Sequence, residues 1–144
     1  MLEAALMIPL LVLLAAGVFE FGRLMYQHQL IETGVRDAAR FLSRQRTPAT
    51  SETAAIELAV MGRVGGTTRR VSWWAPGTVT VTYGTLANPI NTATGERTYR
   101  GPDPLRTVRV STTVTYPGFG MLVAISRSSG VAVGFSHQER IIGE

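Results

Sequence analysis

Residues 4–19 carry no charge and are apolar almost throughout, and an acid stands at either end, Glu3 and Glu20. No other feature restricts the chain as much. Sixteen residues of helix rise about 24 Å, short of the ~30 Å hydrocarbon core of a bilayer. Phe21, Leu24 and Met25 lengthen the run if Glu20 and Arg23 sit at the interface or pair with each other. A carboxylate at the centre of a bilayer costs about 2.5–3.5 kcal/mol on insertion scales, and less towards the ends. Three roles fit such a helix. A cleaved signal peptide has this apolar length, and Ala15-Ala16-Gly17 resembles a cleavage region, but the basic n-region is missing. A single-span anchor fits too, although the span is short. The third role is a helix that rests in a membrane and later packs against copies of itself or its relatives.

The helix does not stop at Phe21. Leu24, Ile31, Val35, Ala38 and Leu42 follow at spacings of seven, four, three and four, which is one helical stripe. Gln27, Glu32, Arg36, Arg40 and Arg44 lie mostly off it. Thr47 precedes Pro48, and the residue before a proline avoids the α region. The helix is therefore expected to close near Gln45, roughly 65 Å from Leu2. Residues 1–46 divide into an apolar half, 1–23, suited to a membrane or a filament core, and an amphipathic half, 24–46. Pro9 removes one backbone hydrogen bond, which membrane helices tolerate better than soluble ones. Gly17 and Gly22 leave room for a second helix to approach closely.

Residues 47–144 are expected to form a small head. Ser51 suits an N-cap, with Glu52 in the first turn of a short helix that runs to about Arg63 and stops at Gly65-Gly66. At Val71 and Trp73 the period changes to two, with a turn at Ala75-Pro76-Gly77. Val79, Val81 and Tyr83 alternate with threonines; Val108 to Tyr116 alternate again; Val131, Val133 and Phe135 make a last strand. Residues 84–104 are rich in Asn, Gly and Pro and are expected as a long loop, the element best placed to vary or to meet a partner. Residues 119–125 form a short apolar link. Strands adjacent in sequence favour an antiparallel sheet with one face over the helix stripe, an α+β fold.

Composition removes several function classes. There is no cysteine, so thiol catalysis, disulfides and cysteine metal sites are out. All 14 basic residues are Arg, and the net charge is +4. Arg69-Arg70 is the only adjacent pair, so the arginines read as a solvated surface and no nucleic-acid partner is expected. His28 and His137 are the only histidines, and both read as structural or surface residues. No HExxH, P-loop, GxSxG or calcium-loop pattern occurs, so no catalytic residue, metal site or cofactor is expected. Trp73-Trp74 offers a surface for a sugar or a protein partner, or one ring packs in the core while the other caps an edge.

The opening Glu3-Ala4-Ala5-Leu6-Met7-Ile8-Pro9, the later Glu20-Phe21-Gly22-Arg23 and the pair Ala39-Arg40 resemble the N-terminus of TadE-like minor pilins. These belong to the tight-adherence branch of type IV pilus systems. The strand closing on Pro117, and a last strand running into His137-Gln138-Glu139-Arg140, are similar to the family's terminal hairpin. The family's acid generally stands fifth after a leader is removed, and here it stands third. The resemblance thus implies a leader and two mature residues ahead of Met1, or an altered start.

The resemblance implies a pilin-like fold and a non-enzymatic subunit. Such a subunit is held in the bacterial inner membrane with its C-terminal domain outside the cytoplasm, and it assembles, primes or caps an adhesive pilus at the cell surface. Its implied partners are major and minor pilin subunits, membrane lipid, a prepilin peptidase and the pilus assembly platform. Glu3, Pro9, Gly17, Glu20, Gly22 and Arg23 are the implied assembly and packing residues. In such pilins the acid meets the free amine of a neighbouring subunit, and the opposite charges offset each other's desolvation. Alternatively, Glu3 lies at the headgroups and complements the helix N-terminus. Arg23, Arg36, Arg40 and Arg44 favour the opposite orientation by the positive-inside rule, and a basic leader would reverse that bias. A single-span envelope protein with a soluble partner-binding domain is the alternative of a different class. A secreted enzyme behind a signal peptide would need a cut near Gly17.

Overall fold

The computed structural model describes residues 2–117 and 131–143, and side chains from Met7 onward except that of Val131. Helix α1, Leu2–Ser43, is unbroken over 42 residues in spite of Pro9. At 1.5 Å per residue it is about 63 Å long. It ends two residues before the expected Gln45.

The stripe read from the sequence is the buried face of α1. Leu24, Ile31, Val35, Ala38 and Leu42 are all buried. Two polar residues share that face: Glu20, and Gln27, which the sequence pattern puts off the stripe. Both fall in register with it, at 20, 24, 27 and 31.

A 3-10 turn, Pro48–Ser51, runs straight into helix α2, Glu52–Met61. Ser51 therefore has near-helical angles, φ −106° and ψ 8°, and makes no capping bond with its side chain. The expected N-cap is corrected on that ground, since capping needs extended backbone there. The stop is also earlier than Gly65-Gly66. Gly62 adopts φ +78° and returns its N–H to the Leu58 carbonyl, an αL cap that glycine takes at no steric cost.

Helix α2 lies on α1 through small residues. Ala55 and Ala59 are wholly buried. A Cβ on Gly34 would strike the Ala59 carbonyl oxygen and come within 2.8 Å and 2.9 Å of the Trp74 ring. Alanine is the better helix former by about 0.8–1 kcal/mol, yet two backbones and a ring would have to part. Gly34→Ala is expected to destabilise the head by about 1–3 kcal/mol, measured by chemical denaturation of the full chain in detergent. Gly22→Ala, where a Cβ meets nothing within 4 Å, is the control and should lose nothing.

The segment expected to begin a strand at Val71 is a turn. The Trp74 N–H bonds the Val71 carbonyl at 3.0 Å, so Val71 and Trp74, three apart, both point inward. The sheet has three strands among the described residues: β1 Val79–Leu86, β2 Leu105–Tyr116 and β3 Val131–Arg140. They are antiparallel in the order β1-β2-β3. β1 continues past Gly84 because β2 starts three residues earlier than expected, pairing Gly84 with Thr107 and Leu86 with Leu105. The loop is accordingly 87–104, not 84–104. The expected link at 119–125 lies outside the described residues.

One sheet face, carrying Val108, Val110, Thr112, Val114 and Tyr116, closes on α1 and completes the core. Partial burial and the nearby Glu52 carboxylate push the Tyr83 phenol pKa up to about 12. The loop 87–104 is organised by Asn88, which is almost fully buried. Its amide nitrogen donates to the carbonyls of Tyr99 (2.7 Å) and Pro102 (3.2 Å), and its Oδ1 accepts from the Tyr99 N–H at 3.1 Å. Its own N–H bonds Asp103 at 2.7 Å. Beyond β3, the Ile141 N–H bonds the Arg106 carbonyl and the Ile142 N–H bonds the Ser43 carbonyl at 2.7 Å. Residues 141–143 thus close over the C-terminal end of α1.

Candidate functional site

From Met7 to Phe19, no other described element covers α1. The large apolar side chains between Met7 and Phe19 are 54–78% exposed, and the helix Met7–Ser43 is long and apolar enough to cross a membrane. A monomeric soluble surface rarely shows so continuous an apolar patch. Lipid or other helices would cover it. Pro9 lies within this stretch without interrupting the helix, and Gly17 sits along it. Gly22 opens on free space. The Glu3 backbone is in the first turn of α1, and its side chain lies outside the described residues.

Where the helix meets the head, polar groups gather around aromatic rings. Glu20 is 2% exposed, so the acid that ends the apolar run turns into the head instead of out towards lipid. Arg23, one turn on, is exposed. Gln27 accepts a hydrogen bond from Trp73 Nε1 at 3.2 Å. Trp73 meets Tyr116 edge to face, with centroids 5.9 Å apart. Burial raises the Tyr116 phenol pKa, the Arg23 charge opposes that, and Glu20 adds to it, so both charges act on this ring. The Tyr116 hydroxyl is buried and has no hydrogen-bond partner among the described residues. A half-buried Trp beside a Tyr, at the junction of apolar helix and polar head, is what a membrane–water interface favours.

Trp74 is elsewhere. Its ring is fully buried under Gly34, and its Nε1 donates to Thr112 Oγ1 at 3.2 Å. It presents no surface to a partner, whereas Trp73 stands at the neck. One ring in the core and one at an edge is the arrangement found.

The two histidines come together on the far side of α1. With Glu32, Arg36 and Phe135 they line a cleft of about 350 Å³ between α1 and β3. His28 packs edge to face on Phe135 at 4.4 Å, and His137 Nε2 lies 2.9 Å from Glu139. Glu32 pairs with Arg36 at 2.7 Å. Among the described residues no group of three His, Asp or Glu could hold a metal ion.

Sequence reasoning missed Gln27 and Tyr116 as members of the neck. Gln27 had a signal, since its spacing from Ile31 and Leu24 is helical. Tyr116 had none, because it reaches the neck only through the sheet.

Comparison with known proteins finds a family match over the helix. The family described as TadE-like protein matches residues 1–40, which is α1 up to Arg40 and not the head. No curated protein and no solved structure matches the chain. The family match bears out the resemblance read from the opening motif.

Proposed function

We propose that the chain, a Tad pilus-associated membrane protein by its TadE-like segment and membrane-length helix, acts as a minor pilin-like structural subunit. It waits in the inner membrane and then takes part in assembling, priming or capping a pilus. The observation that carries this is the division of α1. One half is apolar all round and, among the described residues, uncovered; the other is buried on one side against its own head. Such a helix needs a surrounding for its first half, and lipid and neighbouring helices both supply one. The head then has no enzymatic part to play. It faces outside the cytoplasm and carries contacts with major and minor subunits. A prepilin peptidase and an assembly platform are the further partners of this role.

The experiment is the intact mass and N-terminal sequence of the protein expressed from its full gene, with and without the host's prepilin peptidase. Peptidase-dependent cutting just ahead of Met1 is the expected result. An unprocessed N-terminus would overturn the pilin role and leave a membrane-anchored binding domain. A cut near Gly17 would remove the helix from function and favour a secreted protein.

A further inference from the structure

The outer face of the sheet, opposite α1, is not bare at its far end. The loop 87–104 folds back over it, so Leu105 and Thr107 are buried although they point away from the core. Between loop and sheet is a cavity of about 300 Å³ lined by Leu86, Tyr99, Leu105, Thr107, Gln138, Glu139 and Arg140. Register places Gly84, Thr107 and Arg140 in one row across the three strands.

Arg140 is the notable group. Its Nε is buried and has no hydrogen-bond partner among the described residues. Its guanidinium lies against Gly101, where a Cβ would meet Nη2. Gly101 has φ +138°, so both backbone and space there suit glycine. A second guanidinium is close: Arg97 Nη1 donates to the Gly101 carbonyl at 3.3 Å. The nearby acids are engaged. Glu139 also lines the cavity, but its Oε1 is taken by His137 at 2.9 Å and faces Arg40 at 3.8 Å. Asp103 accepts the Asn88 N–H. The Arg140 Nε–H is thus left without an acceptor beside an apolar wall.

We propose that this cavity is a binding site for a carboxylate carried next to an apolar group. A guanidinium presents a planar fork that matches a carboxylate in two parallel hydrogen bonds, and a desolvated N–H without an acceptor favours gaining one. Leu86, Leu105 and the Tyr99 ring would take the apolar group, and the Gln138 amide is a second donor. Asn88 holds Tyr99 over the cavity through two hydrogen bonds, so the wall is formed in advance. The site does not depend on whether the helix assembles into a filament.

The test uses the full chain in nanodiscs, with the Arg140 Nε–H resonance and the Leu86 and Leu105 methyl resonances as readouts. N-acetyl-leucine presents a chain-end carboxylate; a blocked leucyl-glutamyl dipeptide amide presents only a side-chain one. Either acid is expected to shift these resonances saturably, and the stronger of the two identifies the source. N-acetyl-leucinamide should not shift them. Arg140→Gln is expected to weaken binding by about tenfold or more. Arg140→Lys, which keeps the charge and loses the fork, should also bind more weakly and serves if the Gln variant does not fold. The proposal is overturned by no shift at tens of millimolar acid. It is equally overturned if the amide or inorganic phosphate shifts the resonances as strongly.

Discussion

Trp74→Ala is expected to cost the head about 3–5 kcal/mol, a large share of the 5–15 kcal/mol that holds a domain of this size together. The ring is fully buried at the point where α1, α2 and the sheet meet. It slots under Gly34, whose missing side chain makes the space. Its Nε1 donates to Thr112, and the Thr112 hydroxyl lies 3.1 Å from that of Thr78, which in turn donates to the Ala75 carbonyl at 2.8 Å. Removing the ring opens a cavity that rigid helix and strand backbones cannot fill. Trp74→Phe keeps most of the volume and loses the N–H donor, so it should fall well short of the alanine loss. Denaturation of both variants in detergent, followed by Trp73 fluorescence and near-ultraviolet circular dichroism, checks the order. Equal losses would show that the hydrogen bond, not the volume, dominates.

Glu3→Ala is expected to leave folding and membrane level unchanged and to remove the protein from assembled pili. The Glu3 backbone sits at the very start of α1. If its carboxylate pairs with a subunit's amine in a dry core, breaking the pair strands a charge at a cost of about 3–5 kcal/mol. That is a hundredfold or more in an association equilibrium. If Glu3 only complements the helix N-terminus, the loss is about 0.3–1 kcal/mol and assembly continues. The measurement is the subunit's abundance in sheared pili against its abundance in membranes, for Glu3→Ala and Glu3→Gln. Gln keeps the shape and removes the charge, so the two variants should fail alike.

Much of α1 was legible because its signal is periodic and local. Leu24, Ile31, Val35, Ala38 and Leu42 announced a face, and that face is buried. Glu20 and Gln27 lie on the same face, but their polarity disguised the position; Trp73, supplied by a distant element, gives the Gln27 amide a partner there. The Val71 and Trp74 turn was misread as alternation because two large apolar residues in a short span fit either period. Gly84 suggested a strand end, yet the partner strand decides where pairing stops. The Arg140 cavity was invisible, since Arg140 and Gly101 are neighbours only after the loop has folded over the sheet.

The tie between residues 141–143 and the end of α1 has a consequence for the order of events during synthesis. Ile142 reaches the Ser43 carbonyl about a hundred residues after that carbonyl is made, some 5–20 s at ordinary ribosome speeds. The strands that cover the amphipathic half of α1 arrive late as well. The apolar half therefore emerges before the head, with no partner among the described residues, and has time to enter a bilayer before the head is complete. Only afterwards can the head close on the helix, and it does so on a stalk already held in place.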